Sequence, residues 1–136
     1  MIKNIMKDGL FLQQPSIPAT QADVAVGEDL RDTLAAHRER CVGMAANMIG
    51  VKKRIIIVNL GMLDLVMYNP VLLKKTGVYQ TEEGCLSLTG TRVTNRYREI
   101  TVRFFNDAWQ EQTMTFTDFP AQIIQHELDH LEGILI

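Results

Sequence analysis

Near its C-terminal end the chain reads DFPAQIIQHELDHL over residues 118–131, and the spacing of these residues predicts an amphipathic helix. Asp118 is the predicted N-cap, Pro120 fits the first turn because its missing N–H is not needed there, and Gly133 is a natural stop. One stripe, at the spacing i, i+3, i+4, i+7, consists of Ile123, His126, Glu127 and His130. We expect this stripe to face the protein interior.

The pattern H-E-x-x-H within this helix indicates a metal site. His126 and His130 lie one turn apart, so both rings can reach one ion, and Glu127 can address a water on that ion. The alternative is that two histidines share a helix face by coincidence. A catalytic site needs a third protein ligand, and the candidates are Cys85, Cys41, His37 and the acidic residues. Spacing alone does not choose among them, and it favours a small buried side chain as the role of Cys85.

Length and composition indicate one globular domain, formed by residues 1–136. The net charge of −2 argues against a surface for nucleic acid or anionic membrane. No apolar run reaches the roughly 18 residues of a membrane span, and the N-terminus lacks the features of a secretory signal. We therefore expect a cytoplasmic protein, in which a disulfide between the two cysteines is not expected.

Helix and strand signals predict an α+β domain. An irregular arm is expected over 13–29 and a helix over 28–40. Strands are predicted at 54–59, buried on both faces, at 65–68, ending at Asn69-Pro70, and at 101–105 and 113–117, which form a hairpin. The expected architecture is a set of small mixed or antiparallel sheets packed around the C-terminal metal-binding helix.

Three segments together resemble the peptide deformylase family. Residues 125–130, QHELDH, match its motif Q-H-E-x-D-H, and residues 83–87, EGCLS, match its motif E-G-C-L-S without change. Residues 41–48, CVGMAANM, match in part its motif G-φ-G-φ-A-A-x-Q. The three segments follow the family's order, and the resemblance covers the chain from about residue 28 onward.

The resemblance implies a peptide deformylase-like fold and an enzyme that removes the formyl group from the N-terminal formyl-methionine of nascent chains. It implies Cys85, His126 and His130 as ligands of one divalent ion, with Fe²⁺ as the usual metal and Zn²⁺ or Ni²⁺ as substitutes. Glu127 would be the acid and base, and the backbone N–H of Leu86 would donate to the oxyanion. The implied partners are formyl-methionyl peptides and, beyond them, the ribosome.

The same resemblance implies how the peptide would bind. Backbone groups would hold it at Val42, Gly43 and Gly84. An apolar pocket for the methionine side chain would be lined by Val42, Leu86, Ile123 and the His126 ring. Asp129 would support the site through a pair with Arg96 or Arg92.

The first motif departs from the family at two positions. Cys41 stands where the family has a glycine, and Met48 stands where it has a glutamine whose amide donates to the oxyanion. A thioether has no donor, and losing one oxyanion donor costs about 10²–10³ in rate. We therefore expect a slow enzyme unless water or a reoriented Asn47 replaces the donor. A small buried residue is the favoured role of Cys41, over a redox group or a competing ligand.

Two alternatives to an active deformylase remain. One is a catalytically impaired deformylase-like protein that binds metal and peptide, motivated by Met48 and Cys41. The other is a metallopeptidase that shares only H-E-x-x-H, which is weakened because EGCLS would have no role in it.

Overall fold

The computed structural model describes residues 1–85, 87 and 90–135. Its helices are α1 (Gly9–Leu12), α2 (Val24–Ala36) and α3 (Asp118–Leu131). Its strands are β1 (Gly43–Ala45), β2 (Ile55–Asn59), β3 (Asp64–Gly84), β4 (Thr91–Phe105) and β5 (Glu111–Thr117). Short 3-10 turns occupy Gln21–Asp23 and Ala46–Ile49. None of the described helices combines the length and apolarity that a membrane span requires.

The strands form one antiparallel sheet in the order β1-β2-β3-β4-β5. The predicted α+β class is therefore confirmed. β4 and β5 are the predicted hairpin, with Thr101 opposite Thr115. β1 is an edge strand, in which Gly43 lies opposite Val58 of β2. The long pairing of β3 with β4 ends at Gly84, and this brings the following residue toward α3.

The strand predicted over 65–68 does not stop at Asn69-Pro70, and that prediction is wrong: β3 continues to Gly84. The pairing with β4 shifts in register at this point and Asn69 has a φ of 53°, so the turn signal produces a bulge within a longer strand. The Asn69 side chain accepts a hydrogen bond from the Ala19 N–H at 2.7 Å and donates to the Ala19 carbonyl at 2.9 Å. These bonds attach the N-terminal arm to the sheet.

The helix predicted over 28–40 is α2, which spans Val24–Ala36 and thus begins and ends four residues earlier. Gly27 lies within it, where an added Cβ would come within 1.9 Å of the Tyr68 hydroxyl oxygen. A glycine is required at this position of the helix because α2 packs closely against the sheet there. The arm predicted over 13–29 is therefore not irregular throughout, because residues 24–29 belong to α2.

The start of α3 differs from the prediction, whereas its end agrees. The N-cap is Thr117 rather than Asp118, because Asp118 has a φ of 55° and Thr117 holds the extended backbone of a cap. Gly133, with a φ of 77°, donates its N–H to the His130 carbonyl at 3.0 Å and terminates the helix as predicted.

Helices cover both faces of the sheet, and alternate residues of β2 enter two different cores. Ile56 and Val58 pack with the α3 residues Ile123, Ile124 and Leu131. Ile55 and Ile57 pack with the α2 residues Leu30 and Leu34. The four β2 side chains are fully buried, as predicted for a strand covered on both faces. The core contacts of α3 fix the rotation of the helix, and with it the direction of its histidine stripe.

Candidate metal centre and adjoining cleft

Cys85, His126 and His130 come together in one cluster, whose ligand atoms all lie within 4.8 Å of one another. α3 supplies both histidines, and Cys85 directly follows the end of β3. One thiolate and two imidazoles are a donor set that suits a divalent transition metal and leaves a coordination position open. The Nε2 atoms of the two histidines lie 3.0 Å apart, and the Oε1 atom of Glu127 is buried and has no hydrogen-bond partner among the described residues. The residues present therefore fit a metal ion.

A buried carboxylate orients the first histidine. The Nδ1 atom of His126 lies 2.9 Å from Oε1 of Glu83, which leaves Nε2 directed at the cluster. Arg96 holds Glu83 through Nη2 at 2.7 Å and holds Asp129 of α3 through Nη1 at 2.8 Å. The partner of Asp129 is thus Arg96. Arg92, the other candidate, donates to the Leu135 carbonyl.

Glu83 is ionised within this network. Burial on its own would raise the pKa of Glu83, but hydrogen bonds from His126, Arg96 and Gln122 outweigh burial and lower the pKa to about 2. Glu83 was not predicted as a site residue, and Arg96 was predicted only as one of two candidate partners of Asp129. The burial of Glu83 and Arg96 in the structure identifies them as site residues, because a buried charge requires a partner.

The pKa values of the two histidines are shifted in opposite directions. Burial lowers the pKa of His126, but hydrogen bonds to Cys85 and Glu83 and the charge of Glu127 outweigh burial and raise the pKa to about 10. Burial and the neighbouring His126 charge lower the pKa of His130 to about 3. Because only deprotonated ligands bind a metal, ion binding must displace the proton of His126.

Glu127 points toward the edge strand β1. Its side chain is buried, and burial raises the pKa of its carboxyl group to about 7. An added Cβ at Gly43 would lie 3.0 Å from Oε2 of Glu127 and 2.7 Å from a methyl group of Ile123. Glycine at this position therefore allows the backbone of β1 to approach the carboxylate.

A cleft of about 240 Å³ opens beside the cluster. Two segments of the chain line it, residues 40–43 before and at the start of β1 and residues 82–85 at and after the end of β3. The remaining lining residues are Met48 and, from α3, Phe119, Gln122, Ile123, His126 and Glu127. The structure thus places Val42, Gly43, Gly84 and Ile123 around one space. Leu86, predicted as an oxyanion donor and pocket residue, lies outside the described residues.

Met48 lines this cleft with a side chain that is 1% exposed. Its Sδ atom accepts a hydrogen bond from the Ala45 N–H at 3.4 Å. The neighbouring Asn47 amide donates to the His130 carbonyl at 2.9 Å, so this amide supports α3 instead of taking the place of a glutamine. The Cys41 thiol donates to the Gly43 carbonyl at 2.8 Å, and burial raises the pKa of this thiol to about 12.

Comparison with known proteins identifies the relatives of this chain. The family model described as polypeptide deformylase matches residues 2–136. A peptide deformylase of Clostridium beijerinckii is 55% identical over 136 residues and is matched over the full length of both chains. A peptide deformylase of Syntrophomonas wolfei is 42% identical over 110 residues, which are 79% of this chain and 70% of that protein.

Solved structures show the same similarity. The actinonin-bound class I type b peptide deformylase from Acinetobacter baumannii superposes with a TM-score of 0.88 at 29% identity and covers 99% of this chain and 95% of its own. The peptide deformylase from Thermotoga maritima superposes with a TM-score of 0.89 at 26% identity, with 99% and 95% coverage.

Proposed function

Since the chain belongs to the polypeptide deformylase family, whose metal-dependent enzymes remove formyl groups from nascent peptides, we propose that Cys85, His126 and His130 hold its metal ion. The observation that carries this proposal is the cluster of three ligand atoms beside the buried Oε1 of Glu127, for which the described part of the chain offers no hydrogen-bond partner. Fe²⁺ is the proposed metal, with Zn²⁺ and Ni²⁺ as functional substitutes, because one thiolate and two imidazoles suit all three ions.

When bound, the cation supplies Lewis acidity, which polarises the formyl carbonyl and lowers the pKa of water. Glu127 takes a proton from the attacking water and later passes it to the leaving amine, so that formate and a free N-terminus result. Burial raises the pKa of the Glu127 carboxyl group above its usual value, which helps this group to hold the proton between the two transfers. The backbone N–H of Leu86 remains the predicted oxyanion donor.

The free edge of β1 is the proposed binding surface for the peptide backbone. The Asn59 N–H donates to the Val42 carbonyl at 2.8 Å, so the pair formed by these residues is a hydrogen-bonded one. Pairs alternate along an antiparallel ladder, and the N–H and carbonyl of the next residue, Gly43, therefore point away from β2. A formyl-methionyl peptide would lie extended between this edge and Gly84, as an added strand.

The wall of α3 is the proposed pocket for the methionine side chain. Val42, Ile123 and the His126 ring supply apolar surface on the cleft, and Phe119 extends that surface outward. Since formyl-methionyl chains emerge from ribosomes, the proposal extends to a cytoplasmic enzyme that acts beside the ribosome.

A slow reaction is part of the proposal. The Met48 thioether replaces an amide donor, and the Asn47 amide is committed to the His130 carbonyl. The second candidate function is a deformylase-like protein that binds metal and peptide with little turnover. The lack of an amide donor at Met48 is the observation that favours it.

A panel of substrates tests the proposed function. The protein is purified without oxygen, loaded with Fe²⁺ or Ni²⁺, and given a formyl-methionyl tripeptide, its acetyl-methionyl counterpart and an unblocked peptide. We expect formate from the first substrate and no amide cleavage in the others, with Glu127→Ala as the blank. Formate at the level of the blank would favour the binding protein, and cleavage of internal amides would revive the metallopeptidase.

A further inference from the structure

Gln122 lines the cleft and has no role in the proposed mechanism. It lies on α3 one turn before His126, so the two side chains share a face of the helix. Its side chain is half-buried and lines the cleft. The Nε2 atom of Gln122 donates to Oε2 of Glu83 at 3.0 Å, and Oε1 of the same carboxylate lies 2.9 Å from Nδ1 of His126.

Glu83 is held from two sides. Arg96 binds it from the protein interior, where this residue is 4% exposed and its guanidinium also donates to Asp129. Gln122 binds it from the cleft. A carboxylate that accepts from both sides has little freedom to rotate, and the direction of the His126 ring depends on the position of Glu83.

The amide orientation of Gln122 follows from its partners. A carboxylate only accepts, so Nε2 faces Glu83 and Oε1 faces away. Oε1 meets the Tyr79 hydroxyl at 3.4 Å, which is long for a hydrogen bond between two oxygens. The bond to Glu83 is therefore the stronger of the two contacts that hold the Gln122 side chain.

We propose that Gln122 is a positioning residue, which braces Glu83 from the wall of the cleft and thereby fixes the orientation of the His126 ring. This inference rests on the proposed metal ligands and on the proposed pocket for the first side chain. It assigns Gln122 no contact with the reacting atoms.

The test compares Gln122→Leu with Phe119→Leu. Leucine at 122 retains much of the volume but has no donor, whereas Phe119 lines the same wall without a side chain that can hydrogen-bond. The first readout is the rate at which Co²⁺-loaded protein loses its ion to a chelator, with the visible spectrum of Co²⁺ reporting the ligand geometry. Changes to groups that orient metal ligands lower affinity or activity by about 10–100-fold. Gln122 acts on such a group rather than on the ligand itself, so its replacement should have a smaller effect, about 3–10-fold.

We expect Gln122→Leu to lose Co²⁺ about 3–10-fold faster than the parent protein, with an altered spectrum and a lower kcat. Phe119→Leu should raise KM and leave ion release and the spectrum as they are. Tyr79→Phe, which removes only the weak contact to Oε1, should release the ion within about twofold of the parent rate. Because Gln122 is half-buried, its variant should fold, and thermal unfolding of the metal-free proteins verifies this.

Ion release at the parent rate in Gln122→Leu would overturn the proposal, and so would identical changes in the 122 and 119 variants, which would make Gln122 a wall residue only. Ion release is measured without substrate. A failure of the parent protein to release formate would therefore contradict the proposed function and leave this comparison intact.

Discussion

The Nε2 atoms of His126 and His130 lie 3.0 Å apart, with the two rings edge to face in the buried stripe of α3. Two nitrogens bound to one tetrahedral ion at 2.0–2.1 Å are separated by about 3.3 Å. The rings therefore already have nearly the spacing that a shared ion requires. The helix produces this spacing because residues four apart stand one above the other, and Glu83 fixes the first ring from outside the cluster.

Replacing Met48 with glutamine should accelerate the enzyme. The Met48 thioether accepts a hydrogen bond from Ala45 and offers no donor to the cleft. An oxyanion donor is worth about 10²–10³ in rate, so kcat for a formyl-methionyl peptide should rise by about 10²-fold in Met48→Gln. Met48→Leu, which also lacks a donor, should give no gain. A Met48→Gln rate equal to that of the parent would mean that another group already serves the oxyanion.

Gly43→Ala should impair the reaction more than Gly84→Ala does. The new Cβ at position 43 would lie 2.7 Å from Ile123 and 3.0 Å from the Glu127 carboxylate, so the carboxylate must move. At position 84 the nearest atom is the Gly90 carbonyl oxygen at 3.3 Å, a milder contact. A displacement of about 1 Å at a catalytic group can cost 10²-fold. We expect at least a tenfold loss of kcat/KM for Gly43→Ala at unchanged metal content, and equal effects of the two variants would contradict the close approach.

The activity should fall in acid because Glu127 must be ionised to act as a base. Burial raises its pKa to about 7, and a neighbouring divalent cation favours the carboxylate and lowers the pKa from that value. In the loaded enzyme kcat/KM should thus decline about tenfold per unit on the acid side of a midpoint below pH 7. Glu127→Gln should show only a residual rate, without this decline. An acid midpoint above pH 7 in the parent enzyme would contradict the assignment.

Cys41 should be an unreactive thiol at neutral pH. Burial raises its pKa to about 12. Alkylation proceeds through the thiolate, so iodoacetamide at pH 8 should modify Cys41 on the order of 10³ more slowly than an unperturbed thiol of pKa about 8.5. Peptide mapping by mass spectrometry separates Cys41 from Cys85, and the denatured protein gives the unperturbed rate. Rapid labelling of Cys41 in the folded protein would instead favour the redox role.

Local periodicity was sufficient to predict the elements that hold the histidines. The stripe of α3 and the double burial of β2 follow from the spacing of apolar residues, which the tertiary structure does not override. The length of β3 could not be predicted in this way. Asn69-Pro70 is a turn signal, and only the distant backbone of Ala19 satisfies the Asn69 side chain within a bulge.

The ion pairs of Arg96 with Glu83 and Asp129 could not be predicted from the sequence pattern. Arg92 and Arg96 are four residues apart on β4, so their side chains lie on the same face of the strand. The alternation of side chains along a strand therefore does not decide which of them contacts Asp129. The position along the hairpin decides, since Arg96 lies opposite Tyr79 near α3 and Arg92 lies opposite Glu83 near the hairpin end. The place of Gln122 beside the site could have been predicted, because this residue lies four positions before His126 on the same face of the helix.

The most direct test of the central claim is a titration that measures formate release against metal occupancy. Metal-free protein receives Ni²⁺ or Fe²⁺ in small steps, and bound ion and the rate on a formyl-methionyl tripeptide are determined at each step. We predict that the rate rises in proportion to occupancy and stops rising at one ion per chain, and that Cys85→Ala and His130→Ala neither retain the ion nor release formate. A rate that stays at the level of Glu127→Ala while one ion per chain is bound would contradict the claim that this cluster is a deformylase centre.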